Sequence, residues 1–397
     1  MKLQGRTKTA AVRSSMVVSV ILPCLNEAET VGVCVQQAKK WIGRKHGEVI
    51  VVDNGSSDRS RAIAKAAGAR VILEKQRGYG AAISRGLKAA KGEYLIIADA
   101  DSSYDVEHLT PFLNALRTGS DLVIGNRFEG GIQRGAMPWL HQYVGNPILT
   151  QIANVFFGTR LGDYHSGVRG IKKAVVSQLG LQCIGMEFAS EMIVRSALLK
   201  LKISEVPVEY RKDGRSHKSH MRTFRDGWRH LRFLMLFAPN WIFLVPSVAI
   251  LLLSLGLLLW MILDSLHLGV ISLGIHTMLV LGGSLIIGYQ LFHWSLCVSV
   301  FAKRLQLPIQ SSSFVDRASK SNLEVMMAIG AVILVIGSVL CSRVLFLWST
   351  KNFGNLQPEE TMKLFIPGVI FVVLGFQVFF SSLFLGLLNF EYKLKNA

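Results

Sequence analysis

The chain has 397 residues, half of them apolar, with 44 Lys and Arg against 26 Asp and Glu and a formal net charge of +18. That length suits two or three domains, and apolar content joined to strong basicity narrows the partners to nucleic acid or an anionic membrane face. Five scattered cysteines (Cys24, Cys34, Cys183, Cys297 and Cys341) form neither a disulfide framework nor a metal-ligand spacing, as in a reducing cytoplasm.

Residues 1–15 read as a basic tail. The run after it, "MVVSVILPCL", is short and breaks at a proline, so it reads as a buried strand and not as a secretory signal. A first strand is expected over Val17 to Pro23, followed by a helix from about Glu27 to Trp41. Further strands are expected in "EVIVVDNGSSD" from Glu48, over Ala69 to Lys75, over Gly92 to Asp101 and over Ser120 to Arg127. Apolar strands alternating with helical stretches predict an α/β domain with a mostly parallel sheet covered on both faces, over residues 16–219. Ligands of such sheets bind beyond the carboxyl ends of the strands. Asn26 and Glu27, Asp53 and Asn54, Asp99 and Asp101, and Asn126 and Arg127 all fall there. A lone acid at a strand end, such as Asp58 or Asp105, reads as a cap or turn residue; four strands converging on one rim read as a site.

"IIADADSSYD" sends two acids, Asp99 and Asp101, off the end of an apolar strand. Acids at i and i+2 can both face a hard divalent cation such as Mg²⁺ or Mn²⁺, which takes carboxylate and phosphate oxygens. The first strand lacks the Gly-x-Gly-x-x-Gly of a dinucleotide-binding turn. "RGYGAA" (Arg77 to Ala82) offers either backbone N–H groups to a phosphate or a tight turn with close helix packing. Glu187 and Glu191, on a predicted helix, either hold acceptor-side arginines or lie on the helix surface.

From Phe237 onward long apolar runs dominate. Trp241 to Leu263, Ile275 to Phe301 and Leu364 to Phe390 each suffice to cross a bilayer, which needs about 20 residues. The run Met326 to Leu340 suffices when extended across Arg343 to Trp348. Four transmembrane helices are therefore expected in residues 241–397. Lys303, Arg304, Arg317 and Lys320 after the second helix, with Lys393 and Lys395 in the tail, place both termini in the cytoplasm. Residues 220–240 read as an amphipathic interface helix. Arg222, Arg225, Arg229 and Arg232 share one face, and Phe224, Trp228, Leu231 and Met235 lie opposite. With the surplus charge assigned to juxtamembrane segments and phosphate chemistry, the nucleic-acid reading falls away. His276, Gln290 and His293 within the second membrane helix read as interhelical hydrogen-bonding groups.

Together, "VILPCLNEAETV", "VIVVDNGSSDRS", "LIIADADSSYD", "LVIGNRF" and "DYHSGVRGIKK" resemble the family 2 glycosyltransferases of GT-A fold. They are most similar to the polyprenyl-phosphate glycosyltransferases, such as dolichol-phosphate mannose synthase and its undecaprenyl-phosphate relatives. The resemblance covers Val17 to Ser216, about half the chain. It implies an integral membrane enzyme with a cytoplasmic catalytic domain, in some relatives a tetramer. Such an enzyme moves one hexose from a nucleotide sugar (UDP-glucose or GDP-mannose class) to an undecaprenyl or dolichyl phosphate, with Mg²⁺ or Mn²⁺. Pro23, Asn26, Glu27, Asp53 and Asp99 would bind the nucleotide. Asp99 and Asp101 would hold the metal and, with Arg127, form the catalytic set. Arg127, Arg211, Ser216 and Lys218 would grip the acceptor phosphate. The family's glutamine after the second aspartate is here Ser103, and the lysine after Ser216 is His217, with Lys218 next. No Gln-x-x-Arg-Trp motif of polymerising relatives is present, which implies a single transfer.

Chemistry supports the same course independently. A phosphate monoester is largely dianionic at neutral pH and already nucleophilic, so the site needs cations to bring two anions together more than it needs a base. Direct displacement with inversion follows. Two other readings remain: transfer to a glycerolipid or sphingolipid hydroxyl, which would need a general base, and a non-catalytic nucleotide-binding membrane regulator.

Overall fold

The computed structural model describes residues 17–43, 45–216, 223–263, 267–268, 271–272 and 274–390. The basic tail and Lys218, Arg222, Lys393 and Lys395 lie outside the described residues. The chain divides into two compact units, Met1–Leu234 and Met235–Ala397.

The first unit begins with β1 (Val18–Cys24), α1 (Val31–Ile42), β2 (Gly47–Asp53), α2 (Ser60–Ala66), β3 (Arg70–Leu73), α3 (Tyr79–Ala89) and β4 (Tyr94–Ile97). It continues through α4 (Thr110–Arg117), β5 (Leu122–Asn126), α5 (Arg127–Gly130), α6 (Asn146–Phe157), β6 (Arg169–Lys172), α7 (Lys173–Leu179), α8 (Phe188–Leu198) and β7 (Ile203–Pro207). The strands lie in the order β3-β2-β1-β4-β6-β5-β7. Every neighbouring pair is parallel except those that β6 makes with β4 and β5. The strand sequences explain this: VSVILPC and YLII are near-continuous apolar runs, as strands buried on both faces require. Val20, Leu22, Val51, Ile96 and Val123 join Trp41, Phe112 and Leu116 in one core.

β6 and β7 were not expected from the sequence, and they change the frame. β6 inserts antiparallel between β4 and β5, and its preceding loop, 163–168, thereby runs beside Asp99. The expected helix from Glu27 begins only at Val31. Residues before it form a turn bonded across to the loop after β2, where Asn26 accepts from Ser57 N–H at 2.8 Å and Glu27 N–H donates to Ser60 Oγ at 2.8 Å. Asn26 holds a left-handed φ of 58°, a conformation Asn tolerates better than most residues.

Helix α9 (Thr223–Phe237) follows, then α10 (Val245–Leu263), α11 (Ile275–Arg304), α12 (Ser313–Ala318), α13 (Leu323–Thr350) and α14 (Pro358–Asn389). Among the described residues four helices are long and apolar enough to cross a membrane: Asn240–Met261, Ile275–Arg304, Leu323–Thr350 and Thr361–Asn389. The third, short in the sequence reading, is a 28-residue helix that runs through Arg343, whose long side chain can reach a polar boundary. α13 and α14 pack backbone to backbone: a Cβ at Gly337 would lie 2.5 Å from Val372 N, and one at Gly330 would lie 2.6 Å from Phe379 N. Gln290 of α11 accepts from Gln377 of α14 at 3.3 Å, and His293 lies 3.3 Å from Cys297. The Gln290 bond is interhelical, as expected of an intramembrane polar group, whereas the His293 contact lies within its own helix. His276 has no comparable bond among the described residues.

Candidate active site

The carboxyl ends of β1, β2, β4 and β5 share one rim of the sheet. Asp53 ends β2 fully buried, and its carboxylate accepts from Gly55 and Ser56 N–H at 3.2–3.3 Å and faces Arg61 at 3.5 Å. Pro23, on β1, pairs in register with Val52 of β2. Asp58 caps its turn, accepting from Ala28 and Ser60 N–H. Gly78 N–H donates to Asn54 at 2.7 Å, and Gly80 packs against Cys183 and Phe188. "RGYGAA" is therefore a tight turn with close packing.

Asp99 and Asp101 leave β4 together. Tyr79 donates to Asp99 Oδ1 at 3.0 Å. Burial, and then the charge of Asp101, pushes the Asp99 pKa up to about 6. Gly167, in the loop before β6, has no room for a side chain, since a Cβ there would come within 1.9 Å of Asp99 Oδ2. Asp101 Oδ1 accepts from Ser103 N–H and Oγ–H at 3.0 and 2.5 Å, and Ser102 between them takes a left-handed φ of 64°. Left-handed non-glycine residues cluster at functional sites.

The segment after β7 lies against this turn through two backbone bonds, Arg211 N–H to Ser103 O and Gly214 N–H to Asp101 O. That pairing turns Arg215 inward, where its guanidinium bridges Asp101 Oδ2 and Glu27 Oε2, the latter at 3.1 Å. Arg211 points elsewhere, to Asp105 at 3.2 Å and Glu209 at 2.8 Å, and its side chain is 43% exposed. Ser216 bonds Glu29 through both N–H and Oγ–H. Of the arginines in this stretch, Arg215 and not Arg211 reaches the acid pair.

Arg127, at the end of β5, is buried and held bidentately by Asp163, Nε to Oδ2 at 2.6 Å and Nη2 to Oδ1 at 2.9 Å. Its Nη1 has no hydrogen-bond partner among the described residues. The guanidinium carbon lies 5.3 Å from the Tyr210 ring, which stands 5.3 Å from Tyr104, three residues past Asp101. Tyr104 Oη accepts from Gly167 N–H at 2.8 Å. The acid pair and Arg127 are thus linked through two tyrosines.

On the Arg127 side a mostly apolar pocket of about 430 Å³ opens within the first unit. Met137, Leu149, Trp228 and Leu231 supply apolar wall, and its polar lining includes Arg127, His141, His165, Tyr210, Asp226 and His230. His141 sits on a π-helical turn, His141–Gly145, a form of backbone common at functional sites. Burial, reinforced by neighbouring arginines, lowers the pKa of all three histidines, His165 well below the ordinary value and His230 to about 4. All three are neutral at neutral pH. Phe224, Trp228 and Leu231, three of the four residues expected on the apolar face of the 220–240 helix, belong to this pocket, and Met235 does not.

Asp163, His165, Arg169, Tyr210, Arg215 and His230 were missed as individuals. The signal was present in "DYHSGVRGIKK", which places an acid, an imidazole and a guanidinium within seven residues. Glu191 joins neither expected group: it pairs with Arg195 at 2.9 Å, both buried, and accepts from Gln182 and Cys183 N–H. Its partner is four residues along the same helix, so it stabilises α8 and the loop before it.

Residues 19–180 match Glycosyl transferase family 2, and residues 296–389 match the Glycosyltransferase family 2 C-terminal transmembrane region. A low-salt glycan biosynthesis hexosyltransferase of Haloferax volcanii is 35% identical over 382 residues, covering 94% of this chain and 89% of the relative. A dolichyl-phosphate hexose transferase of the same organism is 29% identical over 210 residues, 53% of this chain and 88% of the relative. A dolichol-phosphate mannosyltransferase of Pyrococcus furiosus is 28% identical over 234 residues, 55% of this chain and 64% of the relative. With its GT-A sheet, its acid pair at the carboxyl rim and its four apolar helices, the chain belongs to glycosyltransferase family 2 and is a membrane glycosyltransferase.

Proposed function

We propose that this enzyme transfers one hexose from a nucleotide sugar to the phosphate of a polyprenyl phosphate, with inversion at the anomeric carbon. The observation that carries this reading is the pairing of an acid cluster with a mostly apolar pocket edged by Arg127. A nucleotide diphosphate fits the first through a cation, and an anionic headgroup on an apolar tail fits the second.

Asp99 and Asp101 fit a hard divalent cation. Mutual repulsion already raises one of them, and a cation between them relieves it. The described residues offer no set of three or more His, Cys, Asp or Glu arranged around a metal, so donor phosphate oxygens and water would complete the shell. Mg²⁺ or Mn²⁺ held there would offset charge developing on the diphosphate leaving group. Arg215 would leave Asp101 as the donor enters. Asn26, Glu27 and Asp53, on the turns after β1 and β2, would line the nucleotide side. Arg127, fixed by Asp163, would orient the acceptor phosphate, which attacks without a base. The basic loop after α11 supports a cytoplasmic location for the catalytic unit and both termini.

A second reading has its own observation: neutral His165, with unpaired ring nitrogens at the pocket wall, suits a base for a lipid hydroxyl. One assay separates the two readings. Purified full-length protein is given labelled UDP-glucose or GDP-mannose with either undecaprenyl phosphate or a diacylglycerol, with and without Mg²⁺ or Mn²⁺. Label in the phosphate lipid supports the proposal, and its absence with every donor sinks it.

A further inference from the structure

On the lipid-phosphate reading of the pocket, we infer that His165 is a direct ligand of the acceptor: its imidazole donates a ring N–H to a phosphate oxygen other than the one that attacks the sugar. Buried polar side-chain atoms are nearly always hydrogen-bonded. Yet Nδ1 and Nε2 of His165 are both buried, and neither has a partner among the described residues. The ring lines the pocket beside Arg127, so a ligand there can supply the missing acceptor.

The imidazole is held in place from two sides. Its own backbone N–H donates to Asp163 Oδ1 at 2.9 Å, the carboxylate that also fixes Arg127. Its ring stands nearly perpendicular to that of His230, with centroids 4.7 Å apart, and His230 Nδ1 is anchored to Ser190 Oγ at 2.8 Å. Arg127 and His165 are therefore positioned by one carboxylate.

Charge points to an anion. Arg169, on β6, is buried, and its guanidinium bonds only backbone carbonyls: Ser166 and Tyr164 at 2.9 Å each, and Ala189. No carboxylate pairs with it among the described residues. The charged and titratable groups around His165 are Arg127, Arg169, His141 and His230, with Asp163 committed to Arg127 and Asp226 on α9 near His230. One buried cation behind the 164–166 loop thus feels Asp163 and Asp99 only at longer range, with no carboxylate paired to it directly among the described residues, and a buried charge needs compensation. A phosphate in the pocket provides it. A neutral imidazole then orients the phosphate without placing a proton on it, so the nucleophile keeps its charge.

The test is calorimetric binding of farnesyl phosphate, with farnesol as the matched alcohol, to the full-length protein in detergent. Wild type is expected to prefer the phosphate. His165→Phe should weaken farnesyl phosphate about ten-fold or more while leaving farnesol unchanged, and His165→Gln, which restores an N–H donor, should recover much of the loss. Melting temperature and binding of UDP or GDP, whichever the wild type takes, should be retained. His165→Leu serves in the same comparison if the Phe variant does not fold. Equal farnesyl phosphate affinity in wild type and the apolar variant overturns the role of His165 and leaves the pocket reading standing. Parallel loss of phosphate and alcohol shows that His165 only shapes the pocket, and overturns it too. A wild type with no preference for the phosphate overturns the pocket reading, and the inference with it.

Discussion

The two charged regions of the first unit are built in opposite ways. Around Asp101 there is an excess of acid, and the cation now balancing it, Arg215, comes from a loop segment held by two backbone–backbone bonds and by the bonds of Lys212 and Ser216 to the side chains of Gln133 and Glu29. Around Arg127 the carboxylate partner, Asp163, is fully buried and saturated by Arg127 and His165, and the extra cation, Arg169, is clamped by carbonyls. On the proposed assignment, the contrast teaches that the side facing the donor is arranged to exchange its cation, and the side facing the acceptor to keep its cations fixed.

Breaking the fixed side should have the largest effect. Asp163→Asn removes the partner of a buried guanidinium and should cost about 3–5 kcal/mol of stability, read as a fall in melting temperature in detergent. Adding Arg127→Met should recover part of that loss. An Asp163→Asn protein as stable as wild type would show that Arg127 is solvated, against the contrast drawn here. Next comes the acid side, where Asp101→Asn should lower transfer of labelled sugar by about 10²–10³-fold with little change in melting temperature. Full activity in that variant would remove Asp101 from the site.

The histidines sharpen the acceptor side. His230 is held neutral, with its pKa at about 4 when folded against an ordinary value near 6.5. The unfolded chain takes up a proton below about pH 6.5 and the folded chain only below about pH 4, so stability is lost as pH falls through that window. The loss at pH 5 relative to pH 7.5 is about 2 kcal/mol. Melting temperature should therefore drop on acidification, and His230→Gln should flatten the profile. An unchanged profile in the variant would contradict the assignment.

The smallest effect tests exchange on the donor side. Arg215→Ala should lower the Mn²⁺ concentration giving half-maximal activity several-fold, because an internal competitor is gone. A higher requirement would show that Arg215 assists the cation.

The sequence made the central sheet legible because β1, β2 and β4 are buried on both faces and read as plain apolar runs. β6 and β7 escaped because RGIK and ISEVP carry charges in four and five residues, and nothing local marks an antiparallel insertion. The rim residues were legible from strand ends alone. Which arginine of "YRKDGRS" turns inward was not, since it depends on Arg211 and Gly214 pairing with the backbone of Ser103 and Asp101. The apolar face of α9 was legible as a face for the lipid–water interface, whereas its place in a pocket depends on His141, His165 and His230 arriving from three distant segments.

Gly167 has a consequence of its own. Its hydrogen stands where any carbon would strike the carboxylate of Asp99. One added methyl, neutral and hidden from solvent, would therefore displace a buried acid as surely as altering that acid itself. The tolerances of this rim are thus set in part by a residue that carries no chemistry at all.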